Sequence, residues 1–327
     1  MFDDEKWNIV LRYAPRVQGL ILSHDELSLK VLQSLWFHTT LLLPNLKTLD
    51  WIYDGYTEIT LIRLLLSPSL VDLHVWLDDG NNSSVMGLLE RYHILCPNLK
   101  LLSFDYSGRC PHVTTAVCRA VSRSPNLKIL LCGSIDETAW KHSAGFRHLR
   151  RLRTSLQDHQ PADLKSLTAY CGNPGHPPFE NLVTLELHPQ HLSSIIPYLK
   201  SHSQPFDCVS FELDIAPTPE VLREFFTALR STTRQRTLRK ICLSMEEEEG
   251  SMPLQAIDCQ TLNPLVGFNL RAFSVYLLSP VTLTDGELVQ LVQAWPHLET
   301  FVLNKCWWGY HSTSNIPMLK GLLSVIE

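Results

Sequence analysis

One short pattern returns eleven times along the 327 residues: an apolar anchor, two residues, a second apolar residue, one residue, and a third. Three copies share the same opening, Pro44-Asn45-Leu46-Lys47, Pro97-Asn98-Leu99-Lys100 and Pro125-Asn126-Leu127-Lys128. The series reads Val17/Leu20/Leu22, Leu46/Leu49/Trp51, Leu70/Leu73/Val75, Leu99/Leu102/Phe104, Leu127/Leu130/Cys132 and Leu149/Leu152/Thr154. It continues with Leu182/Leu185/Leu187, Cys208/Phe211/Leu213, Leu238/Ile241/Leu243, Leu270/Phe273/Val275 and Leu298/Phe301/Leu303. Anchor spacings run from 22 to 33 residues and average about 28. Self-similarity at such a period marks a repeat architecture built from one supersecondary unit, and must be settled before any residue-level reading.

Within each motif the second and third apolar residues lie two apart, which puts them on one face of a strand. Between motifs the periodicity changes to that of a helix. Val221, Leu222, Phe225, Phe226 and Leu229 fall on one helical face behind Thr218 as cap and Pro219 at the first helical position. Thr284 with Glu287 forms a capping box before Leu288, Leu291, Val292 and Trp295. The same rhythm recurs at Asp25 to Thr39, Ser83 to Leu95, His112 to Arg123 and His191 to Lys200. A strand of about five residues and one return helix cannot bury its own apolar face, so neighbouring units must stack. The 57 leucines are thereby explained as strand anchors and helix faces.

The period lies at the long end of the leucine-rich repeats. The expected fold is α/β, a leucine-rich-repeat solenoid of horseshoe form with a parallel sheet on the concave face and helices on the convex face. It would occupy residues 1–327 as a single domain of about eleven repeats, opened by a short helix over 3–13. The breaker-rich run Cys171-Gly172-Asn173-Pro174-Gly175-His176-Pro177-Pro178 reads as an irregular insertion at 171–178 and accounts for the longest spacing.

Several motifs also resemble a known family. Cys96-Pro97-Asn98-Leu99-Lys100-Leu101-Leu102, and Leu283 to Leu288 followed by Trp295-Pro296-His297-Leu298-Glu299-Thr300-Phe301 and Cys306, are similar to the cysteine-containing leucine-rich repeats of F-box proteins. Trp7 to Leu11, Tyr13-Ala14-Pro15-Arg16-Val17, Leu42 to Trp51 and Leu66-Ser67-Pro68-Ser69-Leu70 resemble the post-F-box region of the large F-box family of mushroom-forming fungi. The resemblance covers nearly the whole chain. It implies the substrate-recognition part of a ubiquitin-ligase adaptor, non-enzymatic, with a protein partner on the concave face. The F-box itself would lie upstream of the first repeat, where only about six residues precede the Trp7 helix. A ligase core is therefore an expected partner only if an upstream F-box exists. A free-standing repeat scaffold without a ligase role is the alternative, and the two open-looking ends favour a fragment.

Charge and motif content narrow the function further. Lys and Arg number 28 against 33 Asp and Glu, for a net charge of -5, which speaks against nucleic acid as partner. The start, Met1-Phe2-Asp3-Asp4-Glu5-Lys6, is acidic where an export signal would be basic and then apolar, and no apolar run is long enough for a membrane span. The expectation is an intracellular protein of cytoplasm or nucleus, away from membranes. Nine cysteines without C-x-x-C spacing read as reduced, buried thiols. No catalytic motif is found, so neither an enzyme nor a cofactor is expected. His188 and His191 lack a third ligand at suitable spacing, so no metal is expected either. Glu246 to Glu249 reads as a solvated loop, and Trp307-Trp308-Gly309-Tyr310 as a plug at the end of the sheet.

Candidate binding residues are those that alternate with the motif apolar positions and so face away from the core. They are Asp72, His74, Trp76 and Asp105 early in the chain, Arg151 and Arg153 in the middle, then Glu186, His188, Glu212 and Asp214, and finally Tyr276. Trp76 and Tyr276 are aromatic anchors in this reading, the arginines take an acidic group and the carboxylates basic ones. The competing reading is a plainly solvated sheet in which Arg151 and Arg153 pair with Glu186 and Glu212.

Overall fold

Several strands start where a turn ends, and in three repeats that turn carries the Pro-Asn-Leu signature. In the computed structural model the anchor amide closes a four-residue turn, from Leu46 to the Leu43 carbonyl at 3.3 Å and from Leu99 to that of Cys96 at 3.3 Å. Proline in the second place of such a turn supplies the required φ without strain. The amides of Asn45 and Asn98 then donate back about 30 residues, to the carbonyls of Pro15 and Pro68, both at 2.8 Å. Asn181 repeats this onto Arg147 at 2.9 Å. The motif is thus a device for stitching one repeat to the one before it.

The structure describes residues 4–22, 26–36, 41–52, 59–77, 83–106, 111–156, 178–201, 205–232, 237–245, 255–277 and 279–303. The insertion at 171–177, the Glu246 to Glu249 run and the Trp307 to Tyr310 cluster lie outside these residues. The chain is α/β and falls into two compact units: one holds 1–154 with 172–181, the other 155–171 with 182–327.

The first unit contains β1 (Gly19–Leu22), β2 (Thr48–Ile52), β3 (Asp72–Leu77), β4 (Leu101–Tyr106), β5 (Ile129–Ser134) and most of β6 (Arg151–Ser155). The second contains β7 (Thr184–His188), β8 (Cys208–Leu213), β9 (Lys240–Met245), β10 (Ala272–Tyr276) and β11 (Thr300–Leu303). Strands follow chain order, and the pairings within each unit are parallel. A single carbonyl just after each anchor accepts two amides from the next repeat. Lys47 takes those of Val71 and Asp72, Val71 those of Lys100 and Leu101, Val183 those of Asp207 and Cys208, and Arg239 those of Arg271 and Ala272.

This ladder corrects one motif. Asp207 is the carbonyl that takes the amides of Arg239 and Lys240, which makes Phe206 the eighth anchor. Leu185 pairs with Val209 and Leu187 with Phe211, so the unit reads Phe206/Val209/Phe211 and not Cys208/Phe211/Leu213. Phe206, Val209 and Phe211 are buried, while Cys208 is only half-buried. Because Leu213 is also buried and apolar, the pattern fits equally well two residues late.

Helices at Glu26–Trp36, Ser83–Leu95, Pro111–Ser122, Glu137–Ala144, Pro219–Thr232 and Asp285–Gln293 form returns. Thr284 and Glu287 make the expected capping box, and the Val221 amide reaches the Thr218 hydroxyl at 3.4 Å. Other returns are looser than expected. Ile59–Leu64 is a 3-10 helix, the His191 to Lys200 stretch splits into a 3-10 turn at Leu192–Ser194 and a helix at Ile196–Ser201, and the described residues of the ninth return form a short helix at Cys259–Leu262 and a 3-10 helix at Asn263–Gly267. The opening helix is Asp4–Tyr13.

The motif side chains meet these helices in the core. In the first unit Tyr92 packs edge-on to Phe104 at 6.3 Å and donates its hydroxyl to the Ala120 carbonyl at 2.8 Å. In the second, Phe211, Phe225, Phe226, Phe273 and Trp295 form an unbroken aromatic series with centroid separations of 5.2, 5.4, 6.4 and 5.4 Å. Phe211 and Phe273 come from strands, Phe225 and Phe226 from the Pro219–Thr232 helix and Trp295 from just beyond the Asp285–Gln293 helix, so one sheet face in this unit is closed by its returns. No helix among the described residues is long and apolar enough to cross a membrane.

Candidate functional site

Strand alternation turns every second side chain of these strands to the opposite sheet face, where most are exposed or half-buried. Along β2 the burial runs exposed, buried, half-buried, buried, exposed, and β6, β7 and β8 repeat the alternation with period two. That period is the geometric reason side chains two apart share a face.

In the first unit this face gathers Asp72, His74, Trp76 and Asp105. Trp76 stands opposite Ile52 on β2 and Asp105 on β4, and His74 stands opposite Asp50 and Ser103. Trp76 is 52% exposed, unusually open for the largest apolar side chain. His74 Nε2 lies 3.9 Å from Asp50 Oδ1. Arg151 and Arg153 are exposed on the same face of β6. The face also holds residues that selecting polar positions passed over: Ile21 and Ile52, both exposed, and Leu101, Ile129 and Leu131, half-buried. Counting two and four places from Leu99 and Leu127 finds the last three directly. A lone leucine or isoleucine in a repeat rich in both carries no outward label, so its composition alone hides it.

In the second unit Glu186, His188, Glu212 and Asp214 come together. Glu186 pairs in register with Ser210, one row from His188 and Glu212. His188 Nε2 meets Asp214 Oδ1 at 2.9 Å. Asp214 is not a strand residue, since β8 ends at Leu213; it reaches the face from the bend that follows. The register shift explains this, because counting from Cys208 carried the row one position too far. Glu212, Ser244 and Tyr276 form a straight row across β8, β9 and β10, with Tyr276 41% exposed. The adjoining row on the same three strands holds small side chains, Ser210, Cys242 and Ser274.

Chemically each unit presents carboxylates, one large exposed aromatic and hydroxyls on its own strands, with Trp76 in the first and Tyr276 in the second. Among the described residues no group of three or more His, Cys, Asp or Glu is arranged to hold a metal ion. Cys96, Cys118 and Cys132 are buried free thiols, and burial pushes each up to about 12. Cys208, Cys242 and Cys259 are only half-buried, which departs from the expectation of buried thiols throughout. Desolvation also raises Cys208, to about 11. A thiol held protonated at neutral pH is a poor nucleophile.

What these features define is an α/β protein whose parallel strands carry exposed and half-buried side chains on one face. No family model matches the chain, and no curated protein matches it.

Proposed function

We propose that the chain is a protein-interaction module of leucine-rich-repeat type, a solenoid whose concave face is formed by the uncovered sheet faces. One observation carries this reading: outward strand positions bear Trp76 and Tyr276, each more than a third exposed, Trp76 beside Asp105 in register and Tyr276 in one row with Ser244 and Glu212. Aromatic side chains that stay solvated on a rigid surface are the groups around which protein interfaces concentrate their binding energy. In this function the chain works by holding a partner, without chemistry of its own. The resemblance to F-box repeats extends the proposal: the partner would be a protein presented for ubiquitin transfer. A free-standing scaffold is the second reading, and it shares the same binding face.

The test places a photo-crosslinking amino acid at Trp76 or Tyr276, and at Arg119 or Glu224 on the helices as controls. Partner adducts should form from the sheet positions and be scarce from the helical ones; the reverse distribution would overturn the reading. The ligase extension is checked separately by transcript mapping upstream of Met1. A helical module that captures a ligase core would support it, and an in-frame stop would leave the scaffold.

A further inference from the structure

The open face of the first unit differs in kind from that of the second. Its outermost row is Ile52, Trp76 and Asp105, paired strand to strand. The next row inward holds Ile21, Asp50, His74, Ser103 and Leu131, and the third Thr48, Asp72, Leu101 and Ile129. Ile21 is 69% and Ile52 45% exposed. With Trp76 they form an exposed apolar strip bordered by three carboxylates, Asp50, Asp72 and Asp105. Asp50 has the His74 contact; Asp72 and Asp105 have no cationic partner among the described residues.

Neighbouring strands are about 4.8 Å apart, so Trp76 and Asp105 sit one such step from each other. A guanidinium or ammonium laid over the indole would therefore lie within reach of the Asp105 carboxylate. Stacking on the ring and ion pairing would act on the same cation. The adjoining Ile52 offers an apolar seat beside it. A surface with carboxylates at its border repels phosphate backbones and acidic segments, and selects cations.

We infer that the first unit's open face docks a segment of a partner protein in which arginine or lysine adjoins a bulky apolar side chain, the cation seated over Trp76 against Asp105. The inference rests on the binding-face reading above and deepens it by naming the chemistry of the occupant. Arg151 and Arg153, on β6, lie outside this seat.

A random peptide library displayed on phage, selected on the full chain, tests it. Enriched sequences should carry Arg or Lys beside Trp, Phe, Leu or Ile. A fluorescein-labelled peptide of that sequence should lose about tenfold or more in affinity against Trp76→Ala and against Asp72→Asn/Asp105→Asn, and weaken as salt is raised. Arg119→Ala/Glu224→Gln, on the helices, should leave its affinity unchanged. Failure to enrich such sequences, enrichment of acidic ones, or binding indifferent to the first-unit variants would overturn the inference. Enriched peptides lost only on Glu212→Gln/Tyr276→Ala would refute it while keeping the binding-face reading; peptides that survive every open-face variant would refute both.

Discussion

Replacing Phe206 with alanine should cost about 3 to 5 kcal/mol, whereas Cys208→Ala, two residues on, should cost less than about 1. The difference follows from position. The Phe206 side chain is 1% exposed and starts the inward row Phe206/Val209/Phe211. Truncating it removes aromatic burial and leaves a cavity that the fixed ladder on either side cannot collapse to fill. Cys208 occupies an outward position opposite Thr184 and Lys240 and is half-buried, so losing its sulfur opens no cavity. Amide hydrogen exchange gives the local readout. The amides of Asp207 and Cys208 donate to Val183, and those of Arg239 and Lys240 to Asp207. A local loss of about 3 kcal/mol should speed exchange at these four by more than a hundredfold in Phe206→Ala and barely alter it in Cys208→Ala. Urea unfolding supplies the global value. Equal costs, or a larger one at Cys208, would refute the register and with it the assignment of the outward row on β8.

Leu99→Ala and Leu185→Ala should each cost about 2 to 5 kcal/mol in urea unfolding, since both side chains are buried motif positions. Thr284→Ala should cost about 1 kcal/mol and fray the Asp285–Gln293 helix by circular dichroism, because the capping box loses both hydrogen bonds of the threonine hydroxyl. Phe179 adopts φ 53, so Phe179→Gly should be more stable than Phe179→Ala by about 1 kcal/mol in a melting comparison, both having lost the packing on Trp140. Alkaline pH should destabilise the fold: the thiols of Cys96, Cys118 and Cys132 ionise near 9 when unfolded but only near 12 when folded. The folded state then holds more protons, and stability falls between those values by up to about 1.4 kcal/mol per pH unit for each thiol. The triple alanine variant should flatten the dependence of the urea midpoint on pH above 9.

Much of the architecture was legible because it depends on quantities that sequence carries explicitly. Period, anchor identity and turn chemistry are all present in Pro44-Asn45-Leu46 and Pro97-Asn98-Leu99, and the structure uses each as the spacing implies. The capping boundary at Thr284 was legible for the same reason: a hydroxyl three residues before a glutamate has few other uses. The 3-10 returns at Ile59–Leu64 and Asn263–Gly267 were not, since a short return and a helical return bury similar apolar residues and differ only in the path of the backbone. Pro264, which opens the second of these, was the available hint.

The site was legible in its parity and not in its membership. A strand alternates with period two, so sliding the eighth motif by two residues leaves Ser210 and Glu212 on the outward face under either register. That is why Glu212 kept its place while Asp214, the last of the row, fell off the end of β8 and became a loop residue bonded to His188. An error of one residue would have turned every candidate inward, and an error of two costs only the ends. Parity says nothing, however, about which outward residues matter. Choosing the polar ones misses Ile21, Ile52 and Leu131, and these change the first unit's face from a row of charges into an apolar strip with charged borders. A row of charges would be satisfied by water and salt; an exposed indole between an isoleucine and an aspartate is satisfied by neither, and that distinction rather than the carboxylates alone makes a basic–apolar protein segment the occupant whose chemistry fits.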